Sequence, residues 1–137
     1  MTTYLHAELT REIIGCFYHV YNQLGYGFLE KVYENSLAHE LRKRGMVVVQ
    51  QAPVEVWYDG LRVGEYYADL LVEDKVLLEL KSVSHLGDEQ MAQLLNYLKA
   101  TGKEIGLLLN FGPRPEVRRK VFQTARIIQY PIAQEQK

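Results

Sequence analysis

The sequence predicts an α/β (α+β) domain with helices packed around a β-sheet. Three observations carry that prediction. Apolar residues recur at helical spacing through the first third of the chain, short apolar runs joined by turns fill the middle, and an amphipathic helix separates those runs from one nearly all-apolar strand. At 137 residues the length suits a single domain spanning 1–137, with enough chain to bury a core.

Leu5, Leu9, Ile13, Cys16/Phe17, Val20 and Leu24 predict a first helix over residues 4–24, which Gly25-Tyr-Gly27 ends. A second helix runs from about Leu29 to Arg44, with Gly45 as a C-terminal cap. Val47 to Gln51 is β-rich, and Pro53 marks a break or an edge position. Val54, Val56 and Tyr58 alternate with polar residues up to Asp59-Gly60, a strong hairpin signal. The return strand starts near Arg62 and continues through Asp69.

Asp88 is a candidate N-cap for a third helix ending before Gly102. Ile105 to Asn110 has the composition of a strand buried on both faces. Gly112-Pro-Arg-Pro115 forms a turn, Val117–Phe122 and Ile127–Tyr130 are expected edge strands, and Gln134–Lys137 a frayed end. The predicted order is α-α-β-β-β-β-α-β-β-β.

Composition excludes some functions and leaves others open. Hydrophobic content of 47% and charged content of 24% suit a soluble globular protein, and a net charge of −1 offers no general basic field for gripping nucleic acid. The one cysteine, Cys16, precludes an intramolecular disulfide, fits a reducing compartment and lies among apolar helix positions. With no signal peptide and no long apolar span, the expected location is cytoplasmic, away from membranes. His6, His19, His39 and His85 lack paired ligand spacing, which argues against zinc.

The most informative segment is Tyr67-Ala-Asp-Leu-Leu-Val-Glu-Asp-Lys-Val-Leu-Leu-Glu-Leu-Lys81. Two apolar strands flank the polar turn Glu73-Asp74-Lys75. A three-residue turn sets Asp69 opposite Glu79 and Tyr67 opposite Lys81. Asp69, Leu71, Leu77, Glu79 and Lys81 then share one face, while Leu70, Val72, Val76, Leu78 and Leu80 make the other wholly apolar. Opposed like charges destabilise a sheet, and unpaired buried charges cost more. A divalent cation would offset that cost.

On the second helix Leu29, Tyr33, Leu37 and Leu41 form an apolar arc. Glu30 falls inside the arc and Glu34 at its edge beside Ala38, so both are expected to point toward the sheet. Glu40 and Arg44 also fall near the arc, in last turns expected to outrun the core. On the third helix Met91, Leu94, Leu95 and Leu98 form the core stripe, flanked by Gln90, Gln93 and Tyr97. Gln93 and Tyr97, one turn apart, can orient a water, a phosphate or a nucleobase; an ordinary polar flank is the plainer reading.

Asp69, nine intervening residues and Glu79-Leu80-Lys81 resemble the D…(D/E)xK signature of the PD-(D/E)xK nuclease superfamily. Gly27-Phe-Leu-Glu30-Lys-Val-Tyr33-Glu34, together with Gln93-Leu-Leu-Asn-Tyr97-Leu-Lys, is similar to the small bacterial GxxExxY proteins of that superfamily. The signature alone is short and built of common residues; the two helix motifs in the right order make it specific. The resemblance runs from the first helix to Asn110-Phe111, and Ala68 stands where many members have Pro.

This resemblance implies a restriction-endonuclease-like core, a mixed β-sheet flanked by helices. It implies that Asp69 and Glu79 bind Mg²⁺ or Mn²⁺, helped by the Leu80 backbone carbonyl, and that Lys81 positions or deprotonates the attacking water. A helix glutamate joins the metal site, with Glu34 favoured as metal-proximal and Glu30 as its support. Gln93 and Tyr97 complete the catalytic set.

The implied function is a metal-dependent nuclease acting on nucleic acid, DNA before RNA. Two readings compete: a catalytically silent binding or regulatory module, and a nuclease subunit that grips its substrate through a homo-oligomer or a protein partner. His85 could lie at the site mouth or be a plain loop residue. Arg114, Arg118, Arg119, Lys120 and Arg126 make the C-terminal third locally basic, either for phosphates or as a solvated strand face. Trp57 and some of the ten tyrosines are candidate stacking platforms, most being core.

Overall fold

Periodic apolar residues at the N-terminus become a helix pair that covers one face of a sheet. A computed structural model describes residues 6–122. In chain order the elements are α1 (Ala7–Leu24), α2 (Glu30–Lys43), β1 (Val48–Tyr58), β2 (Leu61–Val72), β3 (Val76–Lys81), α3 (Asp88–Thr101), β4 (Ile105–Phe111) and β5 (Pro115–Val121). The expected strand at Ile127–Tyr130 and the frayed Gln134–Lys137 lie outside the described residues.

The strands form one mixed sheet in the order β1-β2-β3-β4-β5. All neighbours are antiparallel except β3 and β4, which run parallel and are joined through α3. That β3-α3-β4 connection is the crossover that parallel strands require. It puts α3 on the face opposite α1 and α2, so the sheet separates two apolar clusters. Ile13, Phe17, Tyr33, Leu37 and Leu41 pack on Leu70, Val72, Val76, Leu78 and Leu80. Leu94, Leu98 and Tyr97 pack on Leu77, Leu108, Ala68 and Val54. β4 is buried along its whole length, as its composition predicts.

The turn at Glu73–Lys75 has the expected length, because Val72 pairs with Val76 and Leu70 with Leu78. Asp59 and Gly60 both carry positive φ, the geometry of a tight two-residue hairpin turn.

Some expectations change. The runs 47–51 and 54–58 are one strand, β1, which passes through Pro53 without a break because it is the sheet edge and needs no donor there. Gln51 takes φ 53° within it. Across Gln51 and the facing Asp69 the strands change which residues meet which helices: Val48 and Leu70 join the α1/α2 cluster, while Val54 and Ala68 join the α3 cluster.

Helix details also differ. Leu29 is the N-cap of α2 and 80% exposed, so the apolar arc starts at Tyr33. Glu40 does not outrun the core: it is buried, with Arg44 and Lys43 as ion partners and His19 of α1 3.8 Å away. Gly87 caps α3 in place of Asp88, with the Gln90 side chain accepting from the Gly87 N–H at 2.6 Å. Cys16 is buried and free, and burial raises its thiol pKa, which makes it a packing residue.

Candidate active site

The β2–β3 ladder stops at Leu70–Leu78, and the next residues on each strand are Asp69 and Glu79. Side chains take over from the backbone there. The Leu80 N–H donates to the Asp69 carboxylate at 2.7 Å, and the Asp69 N–H donates to the Glu79 carboxylate at 3.0 Å. The two strands therefore splay apart at the two acids, and neither expected pair, Asp69 with Glu79 or Tyr67 with Lys81, forms in the ladder; Tyr67 pairs with Pro53 of β1.

Burial dominates the electrostatics of this pair. Glu79, 4% exposed, has its pKa pushed up to about 8, first by burial and then by the neighbouring Asp69. The Asp69 N–H and Lys81 act in the opposite direction. Asp69 is also raised, by burial first and then by Glu34 and Glu30, against the Leu80 N–H and Lys81. Burial, with the charge of Asp69 beside it, favours a retained proton on Glu79 near neutrality unless a cation neutralises the pair.

That donor set fits a small hard cation. Mg²⁺ is commonly held by one or two carboxylates and keeps several of its waters. Among the described residues no three or more His, Cys, Asp or Glu side chains are grouped to hold a metal, so neither Glu34 nor Glu30 stands as a third carboxylate beside Asp69 and Glu79.

The two α2 glutamates bond to different strands, Glu30 just past the end of β3 and Glu34 on β1. Glu30 accepts from the Ser82 N–H at 3.0 Å, immediately past Lys81, although the residue as a whole is exposed, unlike the inward placement expected from the wheel. Glu34 is buried and accepts from Lys31 Nζ at 3.0 Å, Gln50 Nε2 at 2.8 Å and Gln51 Nε2 at 2.9 Å. On the other side, Gln93 Nε2 donates to the Tyr97 hydroxyl at 3.0 Å. Tyr97 has its phenol pKa raised, first by burial and then by Glu79. Asp69, Glu79, Leu80 and Lys81 thus lie together, Glu30 reaches the adjacent Ser82, Glu34 and Tyr97 interact with the acids through charge, and Gln93 is joined through Tyr97. His85 is exposed on the loop after β3. Arg114 and Arg118 are exposed in and before the edge strand β5, Arg119 and Lys120 are half-buried, and Arg126 lies outside the described residues.

Sequence reasoning missed several supporting residues. Gln50 and Gln51 fix Glu34, and two adjacent amides in an apolar strand were the available signal. Asn110 is fully buried and is the one polar residue of β4. Its side-chain oxygen accepts from the Val83 N–H at 2.9 Å, and its amide donates to the Val83 carbonyl at 2.8 Å and to Glu116 at 2.8 Å. It thereby clamps the chain leaving Lys81. Gly112 allows the same segment to approach, since a Cβ there would sit 2.0 Å from the Val83 carbonyl oxygen.

The model of the PD-(D/E)XK nuclease superfamily matches residues 7–120. The chain belongs to that superfamily. Nucleases of this superfamily generally use divalent metals and act on nucleic acid. No curated protein matches the chain.

Among solved structures, one titled "Crystal structure of SSO0001" is similar at 18% identity and a TM-score of 0.51, over 72% of this chain and 54% of its own. The alkaline exonuclease of Laribacter hongkongensis is similar at 16% identity and 0.49, over 67% and 55%. The Holliday junction resolvase Hjc of Archaeoglobus fulgidus, an archaeal hyperthermophile, is similar at 21% identity and 0.41, over 65% and 72%. The chain spans about half the length of the first two. With SSO0001 the likeness is one of fold. The mixed five-stranded sheet flanked by helices is of the restriction-endonuclease-like kind.

Proposed function

We propose that this superfamily member hydrolyses phosphodiester bonds of nucleic acid, DNA before RNA, with Mg²⁺ or Mn²⁺ held by Asp69 and Glu79 and the Leu80 carbonyl. We assign it to the GxxExxY group on the Gly27–Tyr33 and Gln93–Tyr97 motifs. The observation that carries the reading is that each carboxylate accepts from a backbone N–H of the facing strand, Glu79 from Asp69 and Asp69 from Leu80, beside Lys81 where the sheet opens.

A bound divalent cation supplies an acidified water and charge neutralisation at the scissile phosphate. Lys81 holds the attacking water or takes its proton, and it binds the non-bridging phosphate oxygens as negative charge accumulates. Glu34, kept in place by Gln50 and Gln51, is the helix carboxylate nearest in effect to Asp69. Glu30 ties the end of β3 to α2. Gln93 and Tyr97 offer donors to the phosphate or the water.

Titrating Mn²⁺ into the protein with labelled single- and double-stranded DNA and RNA tests this. Cleavage abolished by Asp69→Ala and by Lys81→Ala supports the enzyme. Metal binding with no cleavage of any substrate supports the silent module, which the net charge of −1 favours. Cleavage only with an added partner or on self-association supports the subunit reading. No metal binding removes the proposal.

A further inference from the structure

A cavity of about 890 Å³ lies between the outer half of the β1–β2 hairpin and α3. Trp57, Tyr66 and Val54 line it from the hairpin, and Gln93, Asn96 and Tyr97 from the helix. Tyr97, which donates a face to this cavity and accepts from Gln93, also feels the charges of Glu79 and Asp69, so one side chain links the cavity to the acidic site. Trp57 is 58% exposed and Tyr66 52% exposed, and the Tyr66 ring lies 6.2 Å from that of Tyr97 at an interplanar angle of 32°. A register shift between Val56 and Trp57 interrupts the strand alternation, and Trp57 lines the same cavity as Val54 and Val56.

Charge selects the occupant. Of the two carboxylates in the lining, Glu55 is paired with Arg62 at 3.0 Å, which leaves Glu89 against Lys99 and no net positive charge. A sugar-phosphate backbone finds no net positive charge there to hold it, whereas a neutral base needs none. Aromatic faces stack any base, and the amides of Gln93 and Asn96 can pair with base edges. Bases in a duplex are already stacked and paired, so they can enter only after unpairing.

We propose that this cavity seats unpaired nucleobases of the strand whose phosphate lies at Asp69 and Glu79, which makes single-stranded or locally unpaired nucleic acid the substrate class. The proposal rests on the phosphodiesterase reading for its position, and its test is independent of cleavage. Labelled oligothymidylate and a blunt duplex of equal length are titrated with protein in Ca²⁺, and binding is read by anisotropy. Trp57, the only tryptophan, gives a second readout by quenching of its emission.

The single strand binds and quenches Trp57, and the duplex does neither. Trp57→Ala and Tyr66→Ala each weaken single-strand binding about tenfold, from the typical worth of one stacked base. Both side chains are exposed, and an unchanged melting temperature establishes that the variants fold. Failure of the single strand to bind, equal affinity for the duplex, or unchanged affinity in both variants overturns the proposal. A dimer in sedimentation that Trp57→Ala dissolves, with oligonucleotide affinity unchanged, assigns the cavity to a second copy and also overturns it. Single-strand binding that needs Trp57 in a protein that cleaves nothing upholds the cavity while removing the phosphodiesterase reading.

Discussion

Asp69 and Glu79 each complete the other's strand: the Asp69 N–H donates to the Glu79 carboxylate at 3.0 Å, and the Leu80 N–H donates to the Asp69 carboxylate at 2.7 Å. The two acids are thereby fixed by the backbone and not by each other. Their orientation is set before any ligand arrives, which is the condition for electrostatic preorganisation.

Loss of either partner of the chemistry should therefore be severe with little change in fold. Asp69→Asn is expected to lower the cleavage rate on the order of 10²–10³-fold, the usual cost of removing one preorganised electrostatic group. Lys81→Ala is expected to lower it by about 10²–10⁴-fold, the range for a proton-transfer group. Single-turnover cleavage in Mn²⁺ measures both.

Stability of the metal-free protein should depend on pH through Glu79. Its folded pKa of about 8 lies above the ordinary 4.5, so folding takes up a proton between those values. That contribution is complete below pH 4.5 and disappears as pH rises through 8. Thermal melts in EDTA should show stability falling across this window, and Glu79→Gln should flatten the fall. Mn²⁺ should offset it, because the ion favours the ionised pair.

Much of this site was legible because the hairpin is short. A three-residue turn leaves only one register, and period-two alternation then fixes which side chains share a face. Two expected pairs, Asp69 with Glu79 and Tyr67 with Lys81, do not form in the ladder, because the side chains of the two acids replace backbone partners there. Other features needed three dimensions. Glu40 looked stranded on a helix end because the wheel of α2 cannot show that α1 lies against it. Leu29 looked like core because a wheel does not mark where the helix begins. Gln51 has a positive φ that its sequence does not advertise, and with it β1 changes its contacts from one cluster to the other.

The two α2 glutamates should separate under substitution. Glu34→Gln removes a carboxylate that bears on Asp69 and leaves the two amide donors of Gln50 and Gln51 facing an amide. It should weaken Mn²⁺ binding by about tenfold or more, the lower end for groups that support a metal site. Glu30→Gln can still accept from the Ser82 N–H and should weaken it less. Calorimetric titration of the two variants ranks them.

Substitutions that disturb the chain after Lys81 should act on stability first. Asn110→Ala leaves the Val83 N–H and carbonyl without their partner and should cost about 1–3 kcal/mol. Gly112→Ala drives a Cβ into the Val83 carbonyl oxygen and should cost about 1–3 kcal/mol by overpacking. Urea denaturation measures both.

Mn²⁺ titration by calorimetry near neutral pH, repeated in buffers of different ionisation enthalpy, tests the pairing of Asp69 and Glu79 around a cation most directly. The predicted result is saturable binding accompanied by proton release, since the Glu79 proton must leave, with both signals lost in Asp69→Asn and Glu79→Gln. Absence of binding, or binding unchanged in both variants, would contradict it.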